Sequence, residues 1–256
     1  MKTLKLLIIF LFLPAALFAE DQPWHIFKST HFLVYYHNAK ESMVNDVALK
    51  AESCYNKITD ELGFRRFDFW TWDNRAKIYL FDDQQEYMKA TNEPSWSAGQ
   101  AEIENKLVQT FITAQGFLDS VLPHELSHII FREMVGFYNP GIPLWLDEGV
   151  ASYQQKDNSF VKAELARRIS QGNFISFEEL NNFDVMSLKS TNSVDLFYTE
   201  SYSLVKYLIS EFGKDKFVLF CQDMRDRKDL LRALRRVYSF NSLADFEASW
   251  KKYILK

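Results

Sequence analysis

The chain has 256 residues, 47% hydrophobic, 16% aromatic and 25% charged, which suits one ordinary core and leaves no composition for a long disordered tract. A formal net charge of -4 argues against nucleic acid as a partner. The basic run "RDRKDLLRALRR" (225–236) is interleaved with acids and reads as a solvated helix face.

The first nineteen residues, "MKTLKLLIIFLFLPAALFA", place Lys2 and Lys5 before an apolar run that ends in small residues at Ala19. This pattern predicts a signal peptide over 1–19, and so an exported protein, periplasmic or secreted. The run is short for a membrane span, so membrane contact is expected only if the leader stays uncleaved. Cys54 and Cys221 are the two cysteines, both within helical pattern. A bridge and two buried thiols are both open, while a thiolate zinc site lacks the spacing it needs.

"HFLVYYH" (31–37) predicts a strand. Apolar residues at Met43, Val47, Leu49, Cys54, Ile58 and Leu62 predict a long helix over 41–63, stopped at Gly63. A second strand is expected over 76–83 and a short helix over 84–91. A hairpin is expected over 98–112, turning near Glu104 and Asn105. Helices are then expected over 120–135, 143–155, 159–170, 195–212, 214–224, 228–237 and 242–254. Strands first and helices after give an α+β class: a small mixed sheet with one long helix, then a mostly helical half. The predicted organisation is a leader, a domain over 20–212, and a helical extension over 213–256 packed on that domain.

"HELSH" (124–128) carries the chemistry. On a helix, His124 and His128 lie one turn apart and point the same way, so they can fill two corners of a tetrahedron around one Zn²⁺. Glu125 stands beside them, free to hold a water and take its proton. Asp119 or Ser120 is expected to cap this helix and Gly136 to end it. A catalytic zinc needs a third protein ligand and an open position. The turn residues of "NPGIPLWLDEGVASY" (139–153) reverse the chain into a second helix near Leu144, and Glu148 comes within reach. Asp147 competes, but points about 100° away around the helix axis.

"HELSH" followed by "PLWLDEGVASY" resembles the gluzincin metallopeptidases, and most of all the bacterial peptidase-MA-like domains of that clan. The order of elements from about residue 28 to 212 is similar to theirs. The resemblance implies a zincin-type fold, one zinc held by His124, His128 and Glu148, and Glu125 as general base of peptide hydrolysis. The gluzincin aminopeptidases share the W-L-x-E-G segment, but here nineteen residues separate His128 from Glu148, one more than in that branch. Their Gly-x-Met-Glu-Asn box, which binds a free amino end, is absent. "AGQAE" (98–102) is the nearest stretch.

"DLFYTESYSLVKYLISEFG" (195–213) resembles the helix that carries a catalytic Tyr in those enzymes. Tyr198 takes its place as oxyanion donor, with Tyr202 one turn on as the alternative. A peptide or protein substrate is expected to lie extended along the sheet edge supplied by the hairpin. His25, His31 and His37 lack ligand spacing and read as packing or surface residues. Two other functions stay open: a zinc-containing envelope module without turnover, and a zinc hydrolase of a non-peptide or cell-wall amide.

Overall fold

Alternation builds the first layer. In the computed structural model, which describes residues 23–64, 70–95, 97–155, 161–183 and 191–256, five strands form one sheet. They are β1 (His25–Lys28), β2 (Phe32–Tyr36), β3 (Ala76–Phe81), β4 (Gly99–Glu102) and β5 (Leu107–Phe111), in the order β1-β2-β3-β5-β4. The inner strands β2, β3 and β5 run parallel, and the edges β1 and β4 pair antiparallel to their neighbours. Phe32, Val34, Ala76, Ile78, Leu80 and Val108 are fully buried, so alternate residues of the inner strands line one face. The predicted signal peptide over 1–19 lies outside the described residues.

Helix α1 (Glu41–Glu61) connects β2 to β3 and closes that face. Its buried stripe is Val44, Val47, Ala48, Ala51, Cys54, Tyr55 and Ile58. Val47, Cys54, Ile58 and Leu62 are buried as expected, whereas Leu49 is 62% exposed and Val44, Ala48 and Ala51 complete the stripe instead. Helix α2 (Gln84–Thr91) follows β3, capped by the Asp83 side chain on Glu86 N–H. Its Tyr87 packs with Phe81 and Phe111 as a smaller cluster. Strand β1, four residues with three of them exposed, lacks the alternation that would have marked it in the sequence.

The second layer is helical: α3 (Leu122–Val135), α4 (Leu144–Tyr153), α5 (Val161–Ser170), α6 (Phe177–Asn181), α7 (Thr191–Phe212), α8 (Lys214–Arg227), α9 (Leu230–Tyr238) and α10 (Leu243–Leu255). The expected helix start at 159 lies outside the described residues. Helix α7 starts four residues before the expected 195, and α6 was not expected. Trp145, Phe177, Tyr207, Phe246 and Trp250 are buried from α4, α7, α10 and the short α6. They join one continuous core with α1 and the sheet, burying the area that dominates stability. No helix among the described residues is long and apolar enough to cross a membrane.

The entry to α3 corrects one expectation. Neither Asp119 nor Ser120 caps it: a wide turn over Phe117–Val121 runs straight into the helix, and Val121 at the N-cap position is itself helical. Asp119 is instead drawn to Lys50 on α1, 2.9 Å away, and backbone bonds from Ser120 and Val121 to Gly116 O close the turn.

Candidate metal centre

Helix α3 sets His124 and His128 one turn apart, with their Nε2 atoms 3.2 Å from each other. Helix α4 brings Glu148 Oε2 to 3.5 Å from one and 3.6 Å from the other. Zinc–ligand bonds of 2.0–2.1 Å at tetrahedral angles put neighbouring donor atoms about 3.3 Å apart. The triangle therefore has the size of one face of a zinc tetrahedron. Glu148 Oε2 is buried and has no hydrogen-bond partner, a costly arrangement for a carboxylate oxygen that a cation at the triangle would relieve. Among the described residues, these three form the one group of three or more His, Cys, Asp or Glu able to hold a metal ion.

Local sequence explains how two helices meet here. Gly136 ends α3 at φ 98°, a conformation that disfavours any side chain. Asn139 stitches the turn: its Nδ2 donates to Val135 O at 2.8 Å and to Met224 O at 3.1 Å, and its Oδ1 accepts from Gly141 N–H at 2.9 Å. Pro143 then leads into α4. The glycine after Glu148 serves packing. A Cβ on Gly149 would lie 2.4 Å from Ser201 O and 2.8 Å from Val205 Cγ2, so only glycine lets α7 press this closely on α4.

Asp147 faces the back of the site. It accepts from His128 Nδ1 at 2.9 Å and from Arg132 Nε at 2.6 Å, and Arg132 also donates to Asn139 O at 3.3 Å. Burial opposes its charge, yet the His128 and Arg132 hydrogen bonds hold its carboxyl below the usual range. Burial likewise opposes a charged His128, but Asp147, Glu148 and Glu125 together raise the ring to about 9. The three carboxylates thus make His128 Nε2 a place where positive charge, proton or metal, is favoured. On the other ring, Gln155 Nε2 lies 3.1 Å from His124 Nδ1.

Glu125 is raised above the ordinary carboxylate range, first by burial. The histidines oppose that shift, while Glu148 and Glu93 reinforce it. Tyr198, half-buried on α7, is pushed up to about 12 by burial and by the charges of Glu148 and Glu125, so it remains an O–H donor facing those carboxylates' field. Tyr202 is engaged elsewhere: Lys206 Nζ donates to its hydroxyl at 3.0 Å.

The remaining histidines stand apart. His31 pairs with Glu52 at 2.6 Å and stacks on Tyr55, His37 packs on Trp24, and His25 lies by Tyr36. Cys54 and Cys221 are buried free thiols. Beside the site, the β4–β5 hairpin is pinned to α3 by Glu133, which takes Lys106 Nζ at 2.7 Å and Trp70 Nε1 at 2.6 Å. Strand β4 is an edge with one paired side.

Sequence reasoning did not single out Arg132 or Gln155. Arg132 lies one turn after His128, a legible i,i+4 relation. Gln155 lies seven residues after Glu148, past the end of α4, and nothing in the sequence distinguishes it.

No curated protein matches this chain in sequence. The sequence profile of the Peptidase MA superfamily matches residues 71–256, which takes in β3, the hairpin, both site helices and the chain through its last helix. The chain belongs to the Peptidase MA superfamily, with a peptidase-type fold.

Proposed function

We propose that the protein is a zinc metallopeptidase that hydrolyses peptide bonds, with His124, His128 and Glu148 as the ligands. The observation that carries this reading is the three-donor triangle with its unpaired, buried Glu148 oxygen and Glu125 alongside. A zinc ion held there supplies positive charge toward the carbonyl and water acidified toward a pKa near ~7. Glu125 takes the proton of the attacking water and passes it to the departing amine. Its raised proton affinity suits a group that must both accept and give a proton. Tyr198 donates its O–H to the carbonyl oxygen as negative charge builds there. The substrate lies extended on the open side of β4, and the protein works after export. A site used only for structure has its fourth position closed by protein, and three donors with an acid beside them support turnover over that alternative.

The test is cleavage of a diverse peptide library by the chain from Glu20, beside Glu125→Gln and a chelated sample, with product ends read by mass spectrometry. Cleavage lost in both controls supports the reading, and the fragments show endo or exo action. Cleavage that survives in Glu125→Gln with full zinc refutes the assigned base. No cleavage by the zinc-loaded wild type favours the module without turnover.

A further inference from the structure

The two histidines are held from behind by different kinds of group. Behind His128 stands Asp147, its second oxygen taken by Arg132. A carboxylate offers only acceptors, so the proton on His128 Nδ1 is fixed and Nε2 always faces the centre as the variable atom. Behind His124 stands the Gln155 amide, which offers a donor on one side and an acceptor on the other.

The two orientations of that amide have opposite consequences. With its nitrogen toward His124, as placed at 3.1 Å, Nδ1 must accept. The ring proton of a neutral His124 then sits on Nε2, which lies 3.2 Å from His128 Nε2 and 3.5 Å from Glu148 Oε2. A proton there fills the place a cation needs. With the amide turned by half a rotation, its oxygen accepts from Nδ1–H, and Nε2 presents a lone pair to the triangle. Gln155 lies beyond the last residue of α4, partly exposed, with its backbone N–H on Ser152 O at 3.2 Å.

We propose that Gln155 is a positioning residue that selects the tautomer of His124, and so decides whether Nε2 can face a metal ion. This rests on the reading of His124 as a zinc ligand. The amide is a two-way latch on one ligand, whereas Asp147 is a fixed hold on the other. Replacing the amide by a group that only accepts makes His124 permanently ready for metal. Replacing it by a group of the same length without an amide leaves the ring unguided.

The experiment compares the wild-type chain with Gln155→Glu and Gln155→Met. Zinc affinity is measured by competition with a chromogenic chelator. The His124 tautomer is read in the chelated chains from long-range ¹H–¹⁵N spectra. Melting midpoints show whether each variant is folded. Gln155→Met is expected to weaken zinc by about 10–100-fold and to change the Nδ1–H to Nε2–H ratio of His124. Gln155→Glu is expected to bind zinc at least as tightly as wild type and to show His124 protonated at Nδ1. Equal zinc affinity and an unchanged His124 pattern across the three chains overturn the proposal. Zinc binding without peptide cleavage defeats only the peptidase reading. If wild type binds no zinc, the ligand reading fails, and the His124 spectra still decide whether Gln155 sets the tautomer.

Discussion

Replacing Glu200 with Gln should flatten part of the pH dependence of stability. Glu200 lies on α7, fully buried, with Oε1 accepting from Ile175 N–H at 3.0 Å and Oε2 without a partner. Burial raises its carboxyl from 4.5 to about 8, with Glu247 adding to the shift and the Ile175 bond, Arg168 and Lys251 opposing it. The folded chain therefore keeps this proton where the unfolded chain has lost it. The stabilisation is complete below the unfolded value and fades as pH rises through the folded one. Between pH 4.5 and about 8 the loss is on the order of 1 kcal/mol per pH unit, or up to about 5 kcal/mol in all. Gln is neutral throughout and can still accept from Ile175. It leaves amide hydrogens unpaired at a cost of about 1–3 kcal/mol that does not vary with pH. Urea unfolding of both chains from pH 5 to 8.5 measures the difference. The variant should be the weaker protein at pH 5 and should gain on wild type steadily as pH rises. A difference that stays constant over that range would refute a neutral, buried Glu200.

Three further outcomes are expected. Gly149→Ala forces α4 and α7 apart, since the new methyl meets Ser201 O at 2.4 Å; it should cost about 1–3 kcal/mol in unfolding experiments and reduce hydrolysis by moving Tyr198 from Glu148. Glu125→Gln should keep zinc, read by metal analysis, and lose about 10²–10⁴-fold in kcat. Tyr198→Phe should leave zinc affinity unchanged and lower kcat by about 10²–10³-fold, whereas Tyr202→Phe, which removes only a Lys206 contact, should change kcat little.

The parts of this protein legible in its sequence are those governed by local periodicity. His124 and His128 had to share a face once their segment was helical, and Gly136, Asn139 and Pro143 announce the reversal that brings Glu148 back to them. Other features depend on partners distant in the chain. The phase of α1 is set by which residues the sheet can accept, so Val44 and Ala48 are buried while Leu49 faces outward. Asp119 has the chemistry of a cap, but Lys50 lies sixty-nine residues away in sequence and takes it. Asp147 points away from the triangle, and its place behind His128 becomes visible only with Arg132 on the neighbouring helix. Helix α6 did leave a readable mark, the capping box between Ser176 and Glu179, at the head of a segment too short to show a period. Gln155 left none, because an amide past a helix end is an ordinary residue until a ring nitrogen is found beside it.

The hold of Asn139 on Met224 O spans eighty-five positions. A ribosome therefore makes both site helices well before it makes the residue that clamps the bend between them. While the carboxy-terminal helices are still unmade, Asn139 has Val135 and Gly141 to hold, and the bend lacks its outer anchor. The bend that brings Glu148 back to the histidines is thus fully anchored only after Met224 has been made.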